Sequence, residues 1–332
     1  MKLLVIGGTE FVGRAFVEDA AARGHDVTIF HRGLREPADL VVPSLAPPRH
    51  VHGDRGGGLG ALGDESFDAV LDTCGYVPRI VEASSRALAG RAGRYLFVST
   101  SSAYPDDVAP GANEDSPIHA PPYPDTEEIT DENYGPLKVA CELAVHAAFG
   151  EGAVVVRPGY IVGPHDPTER FVSWLRRAAA GRPIAAPGPP DEPLQVVDVR
   201  DLAAFMVDLL ERGTAGTFGV FGPGEPISTR TMLETAIAEA QAPTTLVWAD
   251  REVALGVGDE EERYRLFPMW HPEYPGVHRF DVSRAIAAGL RHRPFVETVR
   301  DTMTWDRARP QAPLPFGPTP EEERELLAAW RD

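Results

Sequence analysis

A tyrosine and a lysine stand four residues apart in the segment Tyr-Gly-Pro-Leu-Lys at 134–138. Four residues is about one helical turn, so on a helix Tyr134 and Lys138 share a face. An ammonium beside a phenol favours phenolate and pulls the tyrosine below its ordinary value of about 10. Such a tyrosine is a general base toward a hydroxyl, and a general acid in reverse. Chance accounts poorly for the spacing, because the chain has only two lysines, Lys2 and Lys138, against 30 arginines, and its single internal lysine falls at this offset. Gly135 and Pro136 fit the first turn of a helix expected over 134–149, where a proline costs no hydrogen bond.

A second chemical segment lies at 7–13, Gly-Gly-Thr-Glu-Phe-Val-Gly, after the apolar run 2–6 and before helical periodicity over 12–23. Gly7 permits a tight turn, and Gly13 lets the helix approach the strand. The helix N-terminus then offers free N–H groups and partial positive charge to a pyrophosphate, with Thr9, Phe11 and Val12 completing the loop. Glu10 stands where such loops usually carry their middle glycine, and is expected to point away from the phosphates. At the end of the next strand, Phe-His-Arg-Gly at 30–33 lacks the acid that would accept from the ribose hydroxyls of plain NAD. Arg32 is placed to pair with a 2′-phosphate or to stack on adenine, which modestly favours NADP over NAD within an NAD(P) site. Asp54, followed by Arg55, is placed to accept from the adenine amino group.

These residues need a scaffold, and the pattern supplies one. Strands are expected at 2–6, 26–31, 67–72, 94–99 and 153–157, with a further short strand before Asp54 and helices between. Apolar runs alternating with amphipathic helices predict an α/β fold, a Rossmann-type doubly wound parallel sheet. After Arg157 the pattern loosens, which predicts a smaller C-terminal substrate-binding domain. The expected division is 1–164, with 198–221 returning to it, then 165–197 with 222–305, and a connector and helix at 306–332.

Composition narrows the partners. A formal net charge of −18 disfavours nucleic acid, whose phosphates require clustered Lys and Arg. No apolar run is long enough to span a membrane, and the N-terminal strand and glycine turn do not read as a signal peptide. Two cysteines, Cys74 and Cys141, are read as reduced thiols of a cytoplasmic protein, Cys141 packing in the core. The expected partners are a small-molecule substrate and at most a second copy in a homodimer. His50 and His52 would share one face of a strand without a third ligand nearby, so no metal site is expected.

Taken together, the motifs resemble the extended short-chain dehydrogenase/reductase superfamily, in its NAD-dependent epimerase/dehydratase-like branch. The resemblance rests on residues 7–13, Gly53-Asp54, Ser-Thr-Ser-Ser-Ala-Tyr at 99–104, Tyr134/Lys138, Arg157-Pro158, Gly163-Pro164 and Val-Asp-Val-Arg-Asp at 197–201, and covers nearly the whole chain. It implies that Thr100 hydrogen-bonds the reacting oxygen, Tyr134 is the acid/base, and Lys138 holds the nicotinamide ribose and tunes the tyrosine. Thr73, Cys74 and Pro158 match positions along the cofactor. Sugar-nucleotide dehydratases of this kind carry Asp-Glu after the catalytic threonine, whereas this chain has Ser101-Ser102.

Three functions follow for comparison. The first is a redox-neutral epimerase or dehydratase working through a transient ketone. The second is a net ketoreductase or dehydrogenase. The third is a non-enzymatic cofactor sensor or RNA binder, since the glycine loop also resembles chloroplast stem-loop RNA-binding relatives. The substrate is expected to be small, hydroxylated and uncharged, sugar-like or nucleoside-like. The donors that hold a diphosphate in the family would fall at Tyr160 and Leu194 here. Ser101, Ser102, Tyr160, His165 and Gln195 are the candidate substrate contacts, while Arg170, Arg176 and Arg177 are left as routes by which a phosphate could still be held.

Overall fold

The computed structural model describes residues 1–37, 40, 47–122 and 126–330. The first half alternates strand and helix: β1 (Lys2–Ile6), α1 (Phe11–Ala22), β2 (Asp26–His31), β3 (Arg49–His52), β4 (Phe67–Asp72), α2 (Pro78–Leu88), β5 (Ala92–Val98), α3 (Asp131–Phe149) and β6 (Ala153–Pro158). There follow β7 (Tyr160–Val162), α4 (Arg170–Ala179), β8 (Ile184–Pro187), β9 (Pro193–Leu194), β10 (Val196–Asp198), α5 (Val199–Arg212) and β11 (Gly216–Val220). The remainder holds β12 (Ile227–Ser228), α6 (Thr229–Ala240), β13 (Leu246–Ala249), α7 (Arg251–Leu255), α8 (Glu260–Leu266), α9 (Ser283–Ala287), α10 (Phe295–Arg307) and α11 (Pro320–Ala329).

Seven strands form one sheet in the order β11-β6-β5-β4-β1-β2-β3, every pair parallel. A parallel sheet must be covered on both faces, and the strands here are apolar toward both. Val5, Leu71, Leu96 and Val154 pack on one side with α1 and α5, while Leu4, Val70 and Phe97 pack on the other beneath α2 and α3. The order reverses between β1 and β4, and at such a crevice a doubly wound sheet receives its ligand. A second core is built from α4, α6, β8, β13 and α10, around Phe171, Trp174, Leu233 and Phe267. Among the described residues no helix is long and apolar enough to cross a membrane.

Helix α3 begins earlier than the sequence suggested. Thr130 caps it, accepting from the Asn133 N–H while the Asn133 side chain accepts from the Thr130 N–H, and Asp131 and Glu132 occupy the first turn. Pro136 therefore lies in the helix interior and not in the first turn. Its missing N–H leaves the Glu132 carbonyl without its usual helical donor.

The far end of α3 is held by charge. Glu142 is 3% exposed and accepts two hydrogen bonds from Arg157 of β6, at 3.0 and 2.7 Å, and one from Ser99. The same arginine donates to the Tyr104 hydroxyl at 3.0 Å. Removing one member of a buried ion pair leaves the other charge uncompensated, at a cost of about 3–5 kcal/mol. Glu142→Ala is therefore expected to lower unfolding free energy by that amount in urea titrations. A loss below about 1 kcal/mol would show that water or relaxation satisfies Arg157 instead.

Candidate active site

Strand β1 runs into the glycine turn because the backbone there leaves no room for side chains. Gly7 has φ of +90°, and a Cβ on Gly13 would sit 2.2 Å from the Gly7 carbonyl oxygen. Thr73 fixes the turn from β4, its hydroxyl donating to the carbonyls of Ile6 and Gly7 at 3.1 and 2.9 Å. No side chain caps α1, so its first N–H groups remain available to an anion. With Glu10 in place of a glycine, the strained backbone falls on Phe11, at φ +33°. The Glu10 carboxylate is exposed and pairs with Arg35. Gly7, Thr9, Glu10, Phe11, Val12 and Gly13 all border a cavity of about 680 Å³. The strained turn, the glycine close approach and the uncapped helix together fit a pyrophosphate.

Arg32 and Asp54 lie on the rim of this cavity. Arg32 is exposed and makes no ion pair among the described residues. Asp54 accepts from the Gly56 N–H at 2.8 Å, which leaves its second oxygen open. Arg55 borders the same cavity. Its guanidinium is committed to Asp72 through bonds of 2.7 and 2.8 Å and also reaches Ser84, so its charge is neutralised before any cofactor is considered. Tyr95 donates to the same carboxylate at 2.7 Å, and Arg55 holds the Asp72 carboxyl below its ordinary range against the push of burial. Burial pushes the nearby Cys74 thiol up, keeping it protonated.

The histidines at this edge depart from expectation. His31 of β2 joins them, its Nε2 lying 2.8 Å from His50 Nδ1, and Glu36 approaches from the following loop and pairs with His52. Ligand atoms of His31, Glu36 and His50 fall within 4.8 Å of one another, so the third group judged missing is present. Hydrogen bonding among these groups accounts for the cluster.

A second chamber of about 720 Å³ shares Phe11, Val12, Thr73 and Tyr76 with the first. Thr100, Ser101, Ser102, Tyr134, Lys138 and Pro158 line it. Thr100 ends β5 and caps the short turn 101–103, accepting from the Ser102 N–H at 3.1 Å. Tyr134 enters the same chamber from α3, on the side of Thr100. Gly135 makes that approach possible: a Cβ there would stand 1.9 Å from the Ser102 carbonyl oxygen.

Lys138 does not lower the tyrosine as its spacing suggested. Its ammonium donates to the carbonyls of Gly75 and Val98, at 2.8 and 2.7 Å, and lies 4.2 Å from the Phe97 ring centroid. Burial pulls Lys138 down to about 8. Burial pushes Tyr134 up, offset in part by the neighbouring Thr100 hydroxyl and by the charge of Arg170.

Two candidate substrate contacts lie elsewhere. Gln195 is 2% exposed, and its amide donates to the Phe280 carbonyl and accepts from the Phe280 N–H, at 3.0 and 2.8 Å. Buried and held on backbone in this way, Gln195 borders neither cavity. His165 lies against Trp305 with its ring tilted, at 5.3 Å between centroids, in a third cleft that shares Thr9, Glu10 and Phe11 with the first cavity. Tyr160 does face the chamber, its hydroxyl on His271 Nε2. Tyr264 and Tyr274 line the chamber beside it, whereas Trp174, Phe267 and Trp270 belong to the second core.

The sequence profile of the NAD dependent epimerase/dehydratase family matches residues 58–248. The chain belongs to that family. The chloroplast stem-loop binding protein of 41 kDa b from Arabidopsis thaliana is 28% identical over 238 residues, covering 67% of this chain and 58% of that one. The matched stretch thus spans less than two thirds of the plant protein. The dTDP-4-dehydro-6-deoxy-D-allose reductase of Streptomyces bikiniensis is 24% identical over 250 residues, covering 66% of this chain and 76% of that one. Among solved structures, the Bordetella bronchiseptica enzyme WbmH in complex with NAD+ superimposes with a TM-score of 0.67 at 17% identity, over 92% of this chain and 98% of that one. At that identity the likeness speaks for the fold.

Seen as a member of the epimerase/dehydratase family, the chain carries site residues that no motif announced. Tyr76 stands at the junction of the two cavities, its ring centroid 6.4 Å from that of Tyr134. Asp166, Arg170, Tyr264 and His271 close the chamber from the second core. They are scattered over more than 100 residues, and periodicity carries no sign of them.

The Gly135 contact makes a testable claim about positioning. Gly135→Ala is expected to displace Tyr134 from Thr100 and cut kcat by about 10²-fold or more, the scale of a misplaced acid/base. Binding of NAD+ measured by calorimetry should weaken far less than kcat falls, because the glycine turn itself is untouched. A variant with near-normal kcat would show that α3 yields to the extra methyl.

Proposed function

We propose that the protein is an NAD(P)-dependent oxidoreductase of epimerase/dehydratase type, acting on a carbinol of a small sugar-like or nucleoside-like metabolite through a transient keto form. The observation that supports this most is that Thr100, Tyr134 and Lys138 line one chamber, which shares Phe11, Val12, Thr73 and Tyr76 with the cavity at the glycine turn. The glycine turn at 7–13, Arg32, Asp54 and Lys138 are the residues that would hold the cofactor. When bound, NAD(P) supplies the acceptor and donor of hydride. Thr100 orients the substrate hydroxyl, and Tyr134 takes its proton as the carbonyl forms and returns it afterwards. Lys138, with two N–H groups on backbone carbonyls, keeps a third for a ribose hydroxyl.

No diphosphate is expected on the substrate. Leu194 is buried in the second core, and Tyr160 is occupied with His271. Arg176 pairs with Asp306 and Arg177 with Glu323, both at 2.7 Å, so neither is free to receive phosphate.

A net reductase is the second reading, favoured by the identity to the Streptomyces bikiniensis reductase. Purified protein separates the two. A redox-neutral enzyme turns over with catalytic cofactor and no net change in NAD(P)H absorbance, whereas a reductase consumes cofactor in step with product.

Under either reading Tyr134→Phe should lower kcat by about 10²–10⁴-fold while NAD(P) affinity holds, since only the proton relay is removed. Lys138→Ala should damage both. Near-normal turnover by Tyr134→Phe would refute the assignment.

We also propose that NADP is preferred, on the strength of Arg32 at the cavity rim, which makes no ion pair among the described residues. Arg32→Ala is expected to weaken the phosphorylated cofactor selectively, by about 1.5–3 kcal/mol for a charge-assisted bond. Equal losses for NAD and NADP in calorimetry would reduce Arg32 to a stacking role.

A further inference from the structure

The second core sends one cation into the substrate chamber. Arg170, the first residue of α4, lines the chamber wall among Tyr160, Tyr264 and Phe316, its guanidinium carbon 5.9, 5.5 and 5.5 Å from their ring centroids. It forms no salt bridge among the described residues, and its Nε is buried without a hydrogen-bond partner. The nearby acids are taken. Glu169 pairs with Arg309, Glu260 accepts from the Tyr274 hydroxyl, and Asp166 accepts from the backbone and side chain of Thr168. A buried donor left unsatisfied costs about 1–3 kcal/mol, so a ligand that satisfies this fork has a ready source of affinity.

We propose that Arg170 is the anion-recognition residue of the chamber and that the substrate carries a single carboxylate. This rests on the oxidoreductase reading and replaces its expectation of an uncharged substrate. A guanidinium is a planar fork that matches a carboxylate with two parallel bonds, and the rings of Tyr160, Tyr264 and Phe316 surround it here. The count of charges argues for one negative charge and not more. Asp106, Asp131, Asp166 and Glu260 line the same chamber, and its other cation, Lys138, is turned to backbone carbonyls. A phosphate ester brings about −1.5 to −2 and a nucleoside diphosphate a comparable load, which one arginine among four acids does not balance. Arg170 and Tyr134 line the same chamber, so an acid seated on the guanidinium shares that space with the acid/base group.

The test uses the full-length protein loaded with NAD+ and calorimetric titration of three probe sets. One set is glucuronate, galacturonate and gluconate, the second is glucose and galactose, and the third is glucose 6-phosphate and UDP-glucose. At least one sugar acid is expected to bind ten times or more tightly than the neutral sugars, and more tightly than the phosphorylated probes. Arg170→Met should erase that preference while keeping NAD+ affinity, which also reports that the variant is folded. Arg170→Lys should recover part of it, since the charge remains without the fork. Equal binding of acids and neutral sugars, a preference for either phosphorylated probe, or a preference that survives Arg170→Met overturns the proposal. The two readings fail separately. A lost acid preference with Tyr134→Phe inactive removes the anion site alone, and an intact preference in a protein that turns over without Tyr134 removes the acid/base assignment alone.

Discussion

The site depends on how closely α3 can lie against the end of β5. With the Gly135 Cα pressed toward the Ser102 carbonyl, the tyrosine one residue before it meets Thr100 and the lysine three residues after it drops into the core. The Glu142–Arg157 pair holds the next turns of the same helix, so register along α3 is set at both ends. A glycine at one point and an ion pair at the other are enough to convert helical spacing into a working constellation. This is positioning by backbone approach, which tolerates less variation than side-chain packing because neither partner has a rotamer to change.

What could be read from the sequence was what periodicity and motif spacing encode. The parallel sheet followed from apolar runs such as Leu3–Ile6 and Val154–Val156 alternating with helices, and the pairing of Tyr134 with the chamber followed from its four-residue offset to Lys138. Side-chain direction did not follow. Gln195 and His165 lie beside recognisable segments, yet one closes on Phe280, 85 residues away, and the other packs against Trp305. Arg55 follows the Gly-Asp pair but answers to Asp72 beneath it. Partners brought by a fold from distant segments leave no local pattern, and Arg170 among three rings is the clearest case.

The preference for arginine has a structural counterpart. Arg55, Arg157 and Arg177 are each buried against a carboxylate through two bonds. A planar fork satisfies such a partner where a single ammonium would leave an oxygen unmet. Against that habit, an arginine lining a cavity without a carboxylate stands out as a group whose counter-charge comes from outside the chain. The excess of acid, −18 overall, makes an accidental lack of partners a poor explanation.

The burial of Lys138 has a practical consequence for anyone handling the protein. It is 2% exposed and the sole lysine beyond position 2, so the folded chain offers amine-directed reagents little besides its N-terminal region. Modification at residue 138 would then mark only molecules that have opened through the centre of the nucleotide-binding half. A single peptide in a mass spectrum becomes a clock for that opening, with no engineered label required.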